Sequence, residues 1–94
     1  MSEPNTTADV LAALHAHNLL PLLQHICERR GVVVDDVCGR ARSRSVAHAR
    51  QELWWSIRHD PQRSYSLLEI ARLFRRDHTT VSHGVTAHAR RQTP

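Results

Sequence analysis

The stretch RRDHTTVSHGV, Arg75 to Val85, gathers the side chains of this sequence best equipped for chemistry. Two arginines, an aspartate, two threonines and two histidines admit three kinds of site. A metal centre is excluded by spacing. His78, His83 and His88 are five positions apart, so each ring would be turned about 140° from the last along a helix, unlike residues at i and i+4. Asp77 beside His78 could act as an acid–base pair. However, no nucleophile arrangement, glycine-rich phosphate loop or paired carboxylates complete a catalytic site, and the sequence reads as a non-enzyme. The third chemistry is nucleic-acid reading. Threonine methyls pack on thymine methyls, aspartate accepts from cytosine N4, and a histidine donates or lies flat. Arg75 and Arg76 can reach flanking phosphates, and the N–H groups of a first helical turn suit a phosphate as well. An ordinary solvated helix end stays open beside that reading.

Such a surface needs elements to hold it. Asp77 can cap a helix from His78, whose apolar stripe is Val81 and Val85, extended by Gly84 and the ring of His88. Before it, SYSLLEIARLF puts Leu67, Ile70, Ala71 and Phe74 on one face, with Ser66 or Ser64 as cap. Only a tight turn fits between Phe74 and His78, so the pair reads as a helix-turn-helix. Upstream, SVAHARQELWWSIRHD predicts a helix from Ser45 with Val46, Ala49, Leu53 and Ile57 in line and Trp54 beside them. Trp55 projects opposite, as incidental packing or a partner contact. Arg50 and Gln51 leave the apolar centre early in this helix, and DPQRS ends it.

Arg40, Arg42 and Arg44 alternate with small residues ahead of that helix. An extended loop would set all three on one side, either as a solvated basic loop or facing phosphates and a narrow minor groove. GVVVDDVCGR reads as a connector in which Asp35 caps a short turn through Val37 and Cys38. NLLPLLQHICERRG predicts a helix capped by Asn18, with Pro21 in its first turn, Leu19, Leu22, Leu23 and Ile26 on one face, and Gly31 at its end. DVLAALHAH predicts another, capped by Asp9, with Val10, Leu11 and Leu14 inward. Residues 1–8 read as a flexible lead and 9–94 as one helical domain.

The totals agree with a small basic binder. The 94 residues are 40% hydrophobic and 23% charged, enough for one modest core. Thirteen basic residues, all arginine, outweigh nine acidic ones, giving a net charge of +4 and a pI near 10.4, which favours polyanions. Eight histidines raise the charge further below about pH 6.5. Cys27 and Cys38 have neither zinc spacing nor a disulfide framework and read as thiols of a reducing cytoplasm. No apolar run reaches the ~18 residues of a membrane span, and MSEPNTTADV, with no basic region leading into an apolar one, does not read as secretory.

Two segments, RARSRSVAHARQ and SLLEIARLFRRDHTTVSHGV, closely resemble the C-terminal DNA-binding domain, domain IV, of the bacterial chromosomal replication initiator DnaA. The resemblance spans about Leu19 to Ala89, and its DHTTV core is far more specific than a generic helix-turn-helix. It implies an all-α, Trp-repressor-like fold with a basic loop, a long helix and a helix-turn-helix. It also implies sequence-specific binding of double-stranded DNA at a short box in origins or promoters. By the same resemblance Asp77, His78, Thr79 and Thr80 read the major groove. Arg42 enters the minor groove from the loop shared with Arg40 and Arg44. Arg50 and Gln51 hold the backbone, Arg50 with a base contact in reach, and Val81 is core. Arg75, Arg76 and His83 flank these groups as backbone contacts.

Four departures qualify the match, one being Ala41, which interrupts a loop that is often more continuously basic. Ala49 stands where the family usually has proline, Arg75 where the turn usually has glycine, and HDPQRSY is slightly long. If the turn needs positive φ, Arg75 strains it, unless the turn has shifted. No GxxxxGK[ST] loop occurs, so DNA binding without a cofactor or ATP-driven assembly is expected. The initial Met, the ending RRQTP and an additional N-terminal helix favour a small stand-alone protein over a fragment of an initiator. The expected place of action is the nucleoid in the cytoplasm of a bacterium or phage host, with a monomer favoured. The rival reading is a protein–protein adaptor using Trp55 and the N-terminal helices.

Overall fold

The computed structural model describes residues 6–92, which form six helices with no strand among them. These are α1 (Thr6–Ala16), α2 (Leu20–Arg30), α3 (Val34–Cys38), α4 (Arg44–Arg58), α5 (Leu67–Phe74) and α6 (His78–Gln92). The all-α expectation holds. The lead and the C-terminal tip, residues 1–5 and 93–94, lie outside the described residues.

α4 is the centre of the packing: α6 lies along it, and α2, α3 and α5 also contact it. Its predicted stripe of Val46, Ala49, Leu53 and Ile57 is buried, with Trp54 beside it. Trp54 meets Phe74 of α5 edge-on at 5.8 Å between centroids. Burying a side chain such as Leu53 or Ile57 contributes about 1.5–3 kcal/mol each. α1 closes the opposite side against α3 and α5, inserting Val10 and Leu14 with no exposed surface. Leu73 also joins the core, between the predicted positions of its helix. Both cysteines are free and buried; desolvation, with Cys27 and Asp35 nearby, pushes the Cys38 thiol to about 12.

Several helix ends differ from expectation. α1 opens at Thr6, so residues 6–8 belong to a helix rather than a lead, and Asp9 sits in its first turn instead of capping it. Asn18 does not cap α2, whose N-cap is Leu19 with no side-chain bond. Instead Asn18 ends α1 at φ 60°: its N–H donates to the His15 carbonyl (3.0 Å) and the Leu19 N–H to the Leu14 carbonyl (2.8 Å). This is a Schellman ending, and asparagine is the residue after glycine best suited to the left-handed position. Gly31 ends α2 in the same way, as predicted, at φ 67°. Asp35 falls inside α3, whose N-cap is Val33, because the turn begins two residues earlier than its carboxylate suggested. α4 starts at Arg44 rather than Ser45, since the Ser43 hydroxyl accepts from the Val46 N–H at 3.3 Å. Ser66 caps α5 through a capping box with Glu69.

Arg75 is the third left-handed ending. Its φ is 54° and ψ 45°, and the Arg76 N–H donates to the Ala71 carbonyl at 2.9 Å. The turn has therefore not shifted. Its arginine occupies a glycine conformation, at a cost of about 1 kcal/mol. Its side chain reaches Asp9 of α1 at 3.3 Å, an exposed pair that offsets little of this. Arg75→Gly is expected to raise stability by about 0.5–1 kcal/mol, read from the urea midpoint at unchanged slope.

His88 completes the α4–α6 seam at 2% exposure, its Nε2 2.9 Å from Gln92 and its Nδ1 unpartnered. Its ring lies 5.3 Å from that of Trp55. Burial, foremost, pulls its pKa below the ordinary value; Glu52 opposes this, and Arg91, Arg30 and Arg29 reinforce it. The unfolded chain takes up this proton first as pH falls. Stability due to neutral His88 is thus complete above about pH 6.5 and is lost below it, by at most about 1.4 kcal/mol per pH unit. Thermal melts at pH 7.5 and 5.5 should show the drop, and His88→Leu should shrink it.

Candidate nucleic-acid interface

The helix-turn-helix is α5, the tight turn Arg75–Asp77, and α6. Asp77 caps α6 as predicted, its Oδ1 accepting from the Thr79 N–H at 2.7 Å and its carbonyl from the Val81 N–H at 3.2 Å. The Thr79 backbone bond is the main reason its carboxyl lies below the usual range, followed by the Thr79 side chain and His78. The carboxylate stays ionised, with one oxygen engaged by the Thr79 N–H of the helix end. With Val81 fully buried against the core, the first turn projects Asp77, His78, Thr79 and Thr80 into solvent. These four come together on one exposed helix end.

The basic loop lies beside that end because two arginines staple it there. Arg50 is only 7% exposed. Its Nε donates to the Val37 carbonyl (2.9 Å), and its Nη2 faces the carbonyls of Asp36 (2.8 Å), Gly39 (3.2 Å) and Ala41 (3.1 Å). The guanidinium expected to hold the DNA backbone is therefore committed to the protein's own backbone at the α3 end and loop. Arg76 does the same from the helix-turn-helix turn, donating to the Gly39 carbonyl across 37 positions of sequence. Burial lowers the pKa of both, and the Arg40 charge lowers that of Arg76 further. Arginines remain charged despite this, so Arg40, Arg50 and Arg76 concentrate positive potential where loop meets turn.

Arg40, Arg42 and Arg44 are exposed, and among the described residues no carboxylate pairs with them. They are not the single extended row expected, since Arg44 is the first residue of α4 while Arg40 and Arg42 precede it. The surface between α4 and α6 is a shallow groove lined by Ala47, Gln51, Arg76, Thr80 and His83, with Arg50 and Gly84 at its floor. Gln51 is half-buried and accepts from Arg91 at 2.8 Å, a contact that spacing had not suggested. Arg75 points away to Asp9. Thus His78, Thr79, Thr80, His83 and the three loop arginines are exposed, His78 and Thr79 beside Asp77, while the side chains of Arg50, Arg75, Arg76 and Gln51 are engaged with other elements of the fold.

Trp55 is half-buried rather than exposed, stacked on His59 at 4.5 Å and against His88. Among the described residues no cluster of three histidine, cysteine or carboxylate side chains is placed to hold a metal, and no helix is long and apolar enough to cross a membrane.

Residues 21–87 match the family described as the bacterial DnaA protein helix-turn-helix. The matched segment takes in α2 to α5 and most of α6, and leaves α1 outside. Over 64 residues, 68% of the chain, the sequence is 36% identical to the chromosomal replication initiator protein DnaA of Pseudothermotoga lettingae. The alignment covers 14% of that relative's length. No solved structure matches.

Proposed function

This chain belongs to the bacterial DnaA helix-turn-helix family, a non-catalytic DNA-binding module, and from that premise we propose sequence-specific binding of double-stranded DNA at a DnaA-box-like site. The outcome is regulation of transcription or of replication initiation, on the nucleoid in the cytoplasm, with one domain engaging one site and no cofactor. The observation that carries this reading is the capped start of α6, where Asp77, His78, Thr79 and Thr80 are exposed beside the exposed loop arginines. Side chains of these types at a helix N-terminus discriminate base edges in the major groove, while arginine on a loop suits a narrow minor groove. Thr79 and Thr80 offer methyls to thymine, and Arg42 takes the minor-groove position. Arg40 and Arg44 hold phosphates. Arg50 and Arg76 act one step removed, by fixing the loop relative to α6.

Selection of bound sites from a random duplex pool tests the proposal: one enriched motif is expected, and a flat pool refutes it. On the winning site, Thr79→Ala should forfeit about 1 kcal/mol of discrimination with little change on random DNA. Arg42→Ala should weaken binding about tenfold and lessen the preference at A·T-rich positions. Affinity of the unaltered chain should fall by at least about tenfold between about 50 and 200 mM salt.

A further inference from the structure

Arg91 lies in the last turn of α6, on the side facing away from the reading turn along the helix, and the resemblance assigns it nothing. Its exposed side chain crosses to α4 and donates to Gln51 Oε1 at 2.8 Å. Gln51 is neutral, so the guanidinium keeps its charge. That charge is not isolated. His48, one turn before Glu52 on α4, feels Arg91 from α6, Arg30 from α2 and Arg44 from the start of its own helix; burial and these three charges lower its pKa. Arg30 and Arg29 share the single Glu52 carboxylate, with Nε of Arg30 2.5 Å from it. Among the described residues no carboxylate pairs with Arg44 or Arg91.

Gln51 also lines the groove between α4 and α6, together with Thr80, His83 and Arg76. These polar and positive groups share the groove with Ala47, Trp54, Gly84 and Ala87, and Arg91 joins them through Gln51. Eleven residues of α6 separate Thr80 from Arg91, about 16 Å of helix, which leaves room for more than one backbone phosphate. A helix-dipole role alone would place Arg91 over the last carbonyls of α6, whereas here it leans onto α4.

We propose that Arg91, tethered to Gln51 and flanked by His48 and Arg44, forms a phosphate-holding ledge that grips the DNA backbone beyond the bases read by α6. This rests on the DNA-binding reading above and extends it from the reading turn to the far end of the groove.

Salt titrations of the full chain on its selected site, set in a long duplex, test the ledge. Arg91→Ala should weaken binding about three- to tenfold and reduce the loss between about 50 and 200 mM salt by roughly threefold, the share of one phosphate contact. The weakening should be equal on random DNA, and Arg91→Lys should restore most of it. Thr79→Ala should instead erode site preference and leave the salt slope alone. Duplexes trimmed on the flanks should bring the unaltered chain and Arg91→Ala to the same affinity. If Arg91→Ala binds long duplexes like the unaltered chain, the ledge is overturned and the reading of bases by α6 stands. If Arg91→Ala lowers Tm and Arg91→Lys does not rescue binding, Arg91 is structural and the ledge is likewise overturned. Failure of the unaltered chain to bind duplex DNA overturns both.

Discussion

Arg50→Ala is expected to cost about 3 kcal/mol or more, because removing one guanidinium strands several backbone carbonyls at once. The acceptors at Asp36, Val37, Gly39 and Ala41 lie at the end of α3 and in the basic loop, where Arg50 is their common donor. For a domain of this size Tm should fall by more than about 12 °C. DNA affinity should fall as well, since the loop bearing Arg40 and Arg42 would no longer be held beside the reading turn. Arg50→Lys separates this role from a direct phosphate contact. A lysine keeps the charge but cannot fan donors to four carbonyls, so the stapling role requires that it fail nearly as badly as alanine. A phosphate contact would instead leave Tm unchanged, preserve binding in the lysine variant and lower the salt slope by about one in the alanine variant. Calorimetric melts with salt titrations on the same samples distinguish the two.

Gly84→Ala is expected to destabilise the domain by about 1–3 kcal/mol, against its sign on helix propensity. In an open helix the change would add about 1 kcal/mol. Here a Cβ would lie 2.5 Å from Cε3 and 2.7 Å from Cζ3 of Trp54, with Gln51 Cγ at 3.2 Å. Trp54 is 3% exposed and its ring is wedged against Phe74, so it cannot swing aside. The alternative is for α6 to slide away from α4, carrying Asp77, His78, Thr79 and Thr80 off their line with the loop. Specific affinity should therefore drop with stability. Pairing Gly84→Ala with Trp54→Leu makes space for the methyl, and the double variant should be more stable than the summed singles by denaturant unfolding. Additivity would show that the methyl is accommodated elsewhere.

The positively charged face also explains why a domain with paired acids on its periphery still favours polyanions. Glu52 and Glu69 are each spent on arginines of α2 and of the α4–α5 connection, and Asp9 on Arg75. Asp77 is held by its own helix. Around the loop and groove, by contrast, Arg50, Arg76 and Arg91 donate to carbonyls and a glutamine. Their positive charge beside the exposed loop arginines is the kind of field that draws a polyanion to this side.

Most of the architecture was readable from the sequence because it is local. The spacing of Val46, Ala49, Leu53 and Ile57, the Ser66–Glu69 box, the Asp77 cap and Gly31 act over three or four residues, the reach of a helical turn. The same holds for DHTTV, whose side chains are presented by the first turn they occupy. Asn18 suits both a helix start and a left-handed helix end, and only the bond from the Leu19 N–H to the Leu14 carbonyl decides between them. What the tertiary structure alone decided is where the long side chains go. Arg50 finds acceptors 9 to 14 positions away, Arg76 one 37 away and Arg91 one 40 away. An arginine carries five donors on a flexible stem and no local preference for which oxygen takes them. Its neighbours in sequence therefore announce a charge, and only the packed fold determines whether that charge staples a loop or is left facing DNA.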